Sequence, residues 1–401
     1  MSKRRIVITG VGVVSALGIG IEAHWRAILE GRCGLGPATR FDSSGFPCPI
    51  VGEIRDFVAK DYVPKGYRKA VKVMARDTEI AVAAAKLAVD DAGFITRASE
   101  TAVAPTYPRE RLACHIGAGL IAAETEELAS AMVTSRPPEA ALSGPGAGWT
   151  TRAWGTISDP DEALAEQAMG GMGNLQPLWM LKYLPNMPAC HVSIVHGAEG
   201  PSNTLTCGEA SGLLCIGESA RVIERSAADA GFAGSAESKV SLMGIARLAV
   251  MGRLATFPLA ADPATALRPY SPSSTGTVPG EGGGILVLET FDSAQARGAK
   301  VYAQIAGFGN AQSGPRAIPP FSTVVGEERA PRVNDGLRRA ILAALADAGV
   351  SAATIDAVVP QACGIPAFDA GEDGALRALS LIHISEPTRL RRISYAVFCL
   401  K

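Results

Sequence analysis

Histidine is scarce in this 401-residue chain, and none lies between Gly197 and Ile382. A mechanism that draws an imidazole from that stretch has no candidate there. The eight cysteines (Cys33, Cys48, Cys114, Cys190, Cys207, Cys215, Cys363 and Cys399) include no CxxC pair, and no Cys/His spacing suits zinc. They read as free thiols of a reducing compartment, most of them small apolar fillers, which fits the cytoplasm. Long apolar runs are missing too, so no membrane-spanning helix is expected. Charge is sparse: 19% of residues, with a net charge of -1. Nothing in that balance points to nucleic acid or a membrane surface as partner.

What is abundant is apolar and small. The chain is 47% hydrophobic, holds 44 glycines and is only 5% aromatic. Such a composition suits a large α/β protein with buried strands. The start, "MSKRRIVITGVGVVSALG", loosely imitates a signal peptide, but Gly10, Gly12 and Gly18 interrupt the apolar run. The expectation is a first strand over 5–9, a glycine turn and then a helix. Further along, strand-like and helix-like segments alternate. "RDTEIAVAAAKLAVDDAGF" predicts a helix ending at Gly93, "LACHIGAGL" a buried strand, and "ETEELASAMV" a helix. Residues 135–190 are Pro/Gly-rich and read as an elaborated insertion. Thr204-Leu205-Thr206 predicts a strand, with a helix after Glu209. "ADAGFAGSAES" predicts a strand, "GEGGGILVLETFDSAQARGAKVYAQIAGFG" a strand-helix-strand, "VNDGLRRAILAALADAGV" an amphipathic helix and "IDAVVPQACG" a strand.

Two glycine patterns invite a phosphate-binding reading, and neither supports it. Gly10-x-Gly12-x-x-Ser15 follows a strand, but Leu17-Gly18-Ile19-Gly20 delays the helix and no acidic strand end follows. Gly280 to Gly284 precedes a strand, without a helix N-terminus to attract an anion, so close backbone packing is expected there.

Three stretches together resemble the β-ketoacyl-acyl-carrier-protein synthase family. They are "RRIVITGVGVVSALG" with "ILEGRCGLGPATRFDSSGFP", "LPNMPACHVSIVHGAEGPSNTLT", and "GEGGGILVLETFDSAQARGAKVYAQIAGFG". The likeness runs from Lys3 to about Leu376. It implies an α/β, thiolase-like fold of two similar halves in αβαβα layers, as a homodimer or heterodimer. The halves would be 1–247 and 248–378, the second truncated. It also implies substrates or ligands carried as phosphopantetheine thioesters on an acyl carrier protein, with no bound cofactor and no metal.

The family's nucleophilic cysteine sits nine residues after the glycine matching Gly200, in a pattern such as T-A-C-x-T-G. Without gaps that position is Glu209, followed by Ser211-Gly212. Cys207 comes two residues earlier and reads as a buried strand thiol. Glu209 would inherit the helix N-terminus that favours an anion in the family. A second departure lies in "DAVVPQACGIPAFD", Asp356 to Asp369, which matches D-x-x-x-x-H-G-T-x-T-P-x-x-D. Pro366 and Asp369 align, but the histidine position holds Gln361. An amide hydrogen-bonds a carbonyl but does not exchange protons as imidazole does. The family's RPFDxxRDGF run is altered to "RPYSPSSTGT", Arg268 to Thr277.

From Leu379 to Lys401 the sequence instead resembles translated sequencing adapter. "LSLIHISEPTR" matches a transposon-end adapter and "ISYAVFCLK" a flow-cell adapter. The expectation is a non-native tail over 379–401, with His383 dismissed as a functional residue.

With both positions replaced, the resemblance implies a non-condensing subunit like the chain-length factor of type II polyketide systems. Its expected partners are a cysteine-bearing ketosynthase and an acyl carrier protein. The alternative is an atypical 3-oxoacyl-ACP synthase, an acyltransferase using Cys207 or Glu209; a glutamate nucleophile would form a mixed anhydride with the acyl group. Decarboxylation of malonyl groups without condensation is a further option, but in the family it needs the histidine that Gln361 replaces.

Overall fold

The computed structural model describes residues 4–134, 175, 179–312, 333–381 and 399–400. Most of the 135–190 insertion and most of the 379–401 tail, His383 included, lie outside the described residues.

One mixed sheet organises the chain. Its strands are β1 (Ile6–Ser15), β2 (Leu112–Gly117), β3 (Ser202–Asn203), β4 (Ala230–Ser238), β5 (Glu281–Thr290), β6 (Ala303–Gly307) and β7 (Cys399–Leu400). Their order across the sheet is β7-β6-β1-β5-β4-β2-β3, with Gly18–Ile19 folding back on the end of β1. β2 runs parallel to β3 and to β4, whereas β5 is antiparallel to both β1 and β4.

Helices cover both faces. In chain order they are α1 (Ile21–Leu29), α2 (Arg76–Ala92), α3 (Thr125–Thr134), α4 (Met187–His196), α5 (Ser211–Glu224), α6 (Leu242–Val250), α7 (Phe291–Ala296), α8 (Asp335–Ala348) and α9 (Pro366–Arg377). On one face the alanine-rich α2, with α4 beside it, packs on Cys114, Ile116, Phe232 and Ile285. On the other, Ile216, Ala220 and Ile223 of α5 pack on Ile6, Ile8, Ala233 and Leu288. Each fully buried aliphatic side chain of this kind contributes about 1.5–3 kcal/mol by area transfer. A separate small core joins Ile341 and Leu345 of α8 to Leu376 of α9.

The helices at 76–92, 125–134 and 335–348 form where their periodicity predicts, and α2 ends at Gly93 in the left-handed conformation. The strand-helix-strand over 281–307 also forms. Three expectations fail. First, the glycines after Thr9 do not turn the chain: β1 continues to Ser15. They serve close approach. A Cβ on Gly10 would lie 2.3 Å from the Ala88 carbonyl oxygen, and one on Gly12 would lie 1.8 Å from that of Ala84. Only glycine lets α2 lie this near the strand. Second, the strand before the Glu209 turn is Ser202–Asn203, not 204–206. Third, the stretch 355–364 forms no strand, and the backbone donors of Gln361, Ala362 and Gly364 at its end go to side chains, as described below. No helix among the described residues is long and apolar enough to cross a membrane.

Candidate active site

The turn carrying Glu209 leaves the sheet at its edge. β3 pairs with β2 only through Ser202 opposite Cys114 and Asn203 opposite His115. The chain then departs, and Gly208 takes φ 59°, a conformation that costs glycine little. Residues Gly208–Ala210 form a 3-10 turn that runs straight into α5. Ser211 closes this turn: its Oγ accepts the Cys207 N–H at 2.8 Å and donates to the Gly208 carbonyl at 2.7 Å. α5 seats its first turn directly on β2, so close that a Cβ on Gly117 would come within 2.6 Å of the Ser211 backbone.

This geometry corrects both expectations for the turn. Cys207 is exposed, not a buried strand thiol, because the two-residue β3 ends before it. Glu209 is not a helix cap. Ser211 already serves the turn, so the Glu209 side chain points outward, 52% exposed, with Oε1 3.9 Å from Nη1 of Arg253.

Gln361 lies in the loop before α9, and two buried carboxylates on α9 hold that loop. Glu372 accepts the N–H of Gln361 at 2.7 Å, the N–H of Ala362 at 3.0 Å and the Tyr270 hydroxyl at 2.5 Å. Asp369 accepts the N–H of Tyr270 at 2.8 Å and that of Gly364 at 3.2 Å. Ala362 and Tyr270 sit at φ 50° and 56°, strained for residues with a Cβ, and these bonds are what hold them there. The donors of Gln361 and Ala362 are thus spent on Glu372 rather than on a sheet ladder. Burial raises the pKa of Asp369 above the usual carboxylate range, against the pull of the N–H donors. Burial, and then Asp369 beside it, push the Cys363 thiol up to about 12, so it stays protonated and inert.

Arg253 joins the two halves of the site. It faces Glu209 on one side, and its guanidinium carbon lies 4.9 Å from the ring centroid of Phe368, in the first turn of α9. Arg253, Tyr270 and Glu372 were invisible as site residues in the sequence. Only the altered 268–277 run and the aligned Asp369 marked the neighbourhood. Two buried histidines of α4 serve the core instead: His191 bonds Tyr67 and His196 bonds Thr96. No group of three or more His, Cys, Asp or Glu side chains suited to a metal occurs among the described residues.

Glu209 thus stands in the turn into α5 and Gln361 in the loop before α9, with Arg253 lying between Glu209 and Phe368. The family model described as "Beta-ketoacyl synthase, N-terminal domain" matches residues 3–136 and 121–294. This chain belongs to the β-ketoacyl synthase family. The family acts in fatty acid or polyketide biosynthesis, and the fold is the thiolase-like one of its ketosynthases. The 3-oxoacyl-[acyl-carrier-protein] synthase 2 of Vibrio cholerae is 30% identical over 380 residues, covering 94% of this chain and 78% of that protein. The protein of the same name from Staphylococcus aureus is 29% identical over 375 residues, covering 94% and 77%. Among solved structures, "The ishigamide ketosynthase/chain length factor" superposes with a TM-score of 0.71 at 26% identity, over 95% of this chain and 78% of that one.

Exposure sorts the thiols of this ketosynthase-family chain. Cys207 is open to solvent, whereas burial pushes Cys114 up to about 12 and Cys215 up to about 11. Iodoacetamide at pH 8 is expected to label Cys207 while Cys114 and Cys215 stay unmodified until the chain unfolds. Peptide mass mapping of the native protein reads this out, and protection of Cys207 would contradict the exposed turn.

Proposed function

We propose that this chain is a non-condensing, chain-length-factor-like subunit that pairs with a cysteine-bearing ketosynthase. The observation that carries the reading is the pair at the site: Glu209, exposed and facing Arg253, and Gln361, on a loop locked by Glu372. A nucleophile position without a thiol and a histidine position without an imidazole leave no route through a thioester to decarboxylative condensation. The turns around them are nevertheless well held among the described residues, the Glu209 turn by Ser211 and the Gln361 loop by the buried Glu372 and Asp369. A scaffold kept while its chemistry is lost suits a role in shaping the partner's acyl tunnel. The likeness to a solved ketosynthase/chain-length-factor assembly supports the same partner type.

The acyl carrier protein is the second partner in this reading. The 3-10 helix Lys65–Val73 presents Lys65, Arg68, Lys69 and Lys72 to solvent, and none is ion-paired among the described residues. Four adjacent free cations suit a partner of opposite charge, such as a carrier whose arm bears a phosphate. The chain as a whole is near neutral. We assign the protein to the cytoplasm, where these free thiols stay reduced.

A specific observation favours one rival, an atypical 3-oxoacyl-ACP synthase: Cys207 is exposed at the start of the turn. Co-expression separates the two. With a ketosynthase encoded beside it, the chain is expected to purify as a stable one-to-one complex, and removing it should change the lengths of the ketosynthase's products. A homodimer alone, with unchanged product lengths in its absence, would exclude the chain-length role. Acylation of Cys207 by an acyl-carrier thioester would favour the rival.

A further inference from the structure

Among the described residues, the guanidinium of Arg253 has no hydrogen-bond acceptor. Arg253 is 22% exposed, and the 3.9 Å from its Nη1 to Glu209 Oε1 is too long for a hydrogen bond. Among the described residues it donates no side-chain hydrogen bond at all. Its backbone is fixed: the Arg253 carbonyl accepts the Thr277 N–H at 2.8 Å, and Leu254 bridges Thr277. The Phe368 ring covers one face of the guanidinium, which leaves the edge that carries its donors. The buried carboxylates nearby do not serve it, since Asp369 and Glu372 are engaged by backbone N–H groups and Tyr270.

We propose that Arg253 is a binding residue for a small carboxylate anion, and that Glu209 is its internal stand-in. The planar fork of arginine matches a carboxylate with two parallel hydrogen bonds. Glu209 offers that group but holds it too far away, on a half-exposed side chain in a turn that begins at the left-handed Gly208. A free carboxylate is not bound by the turn and closes the distance, displacing Glu209 toward solvent. The contact is thus self-occupying: the protein's own carboxylate competes with the ligand. This deepens the reading of Glu209 and Gln361 as the altered positions of one site. It requires neither a partner subunit nor a turnover.

Equilibrium dialysis of radiolabelled malonate against the full chain tests it, with inorganic phosphate as the second probe. Glu209→Gln, which removes the competing charge, is expected to tighten malonate binding by at least about tenfold. Arg253→Gln added to that variant should abolish the gain. Arg253→Lys keeps the charge without the fork and should lose at least about threefold for malonate; it also serves if the glutamine variant does not fold. Unchanged binding in Glu209→Gln, or a gain that survives loss of Arg253, would overturn the proposal. Phosphate binding as tight as malonate would overturn the carboxylate assignment. Failure of the ketosynthase complex to form, with malonate binding intact, would sink the subunit reading and leave this one standing.

Discussion

Replacing Glu209 by cysteine is expected to yield a protein that takes up an acyl group but does not condense. Position 209 lies in the turn leading into α5 and is half-exposed, so a thiol there is reachable by an acyl thioester. The following step is different chemistry. Decarboxylation and carbon–carbon bond formation need a group that polarises the thioester carbonyl and exchanges protons, and in the proposed reading that position holds the amide of Gln361. Its loop is also not free to adapt, because Glu372 clamps the N–H groups of residues 361 and 362. Loss of a general acid–base group typically costs about 10²–10⁴-fold, and the single variant should fall at least that far below an ordinary ketosynthase. Intact-mass measurement reads acylation, and release of labelled carbon dioxide reads decarboxylation. Adding Gln361→His is the change expected to raise the second signal. Condensation by Glu209→Cys alone at an ordinary rate would show that Gln361 does not occupy the histidine position.

The second large effect concerns stability against pH. Asp77, in the first turn of α2, is 3% exposed and accepts the Ser238 N–H at 3.1 Å. Burial raises its pKa from 3.8 to about 7; Glu237 nearby adds to the rise, while the N–H donor and Lys239 oppose it. Between pH 4 and about 7 the folded protein thus holds a proton that the unfolded chain has released. Stability from this group is complete below pH 4, falls as pH rises, and is lost above about 7. The full displacement corresponds to something of the order of 4 kcal/mol as an upper bound. Asp77→Asn keeps the acceptor and removes the titration. Urea unfolding of the two proteins should give similar stabilities near pH 4, with the variant more stable by a few kcal/mol near pH 8. Parallel curves across that range would show that Asp77 ionises freely and that its burial is relieved in solution.

Local pattern carried much of this protein. The alanine-rich 76–92 stretch, the strands of small and apolar residues at 112–117 and 230–238, and the amphipathic 335–348 stretch are helices and strands for reasons written within each segment. The two positions proposed as altered also come from the sequence, Glu209 from an ungapped spacing after Gly200 and Gln361 from the alignment of Pro366 and Asp369. What surrounds them does not. That Cys207 faces solvent follows from β3 pairing for only two residues at a sheet edge, a decision made by β2. Gly10 and Gly12 look like a turn in the sequence; they are strand residues because α2 needs their missing side chains to approach. The apolar run before Gln361 has the composition of a strand, yet the N–H groups of Gln361 and Ala362 that follow it end on Glu372, and no periodicity records where a backbone N–H finds its acceptor. Arg253 shows the same limit: its partners, Glu209 and Phe368, come from far along the chain on either side. Periodicity is set by neighbours in sequence, and so it fixes elements. The site is made of contacts between elements, and only tertiary packing brings those together.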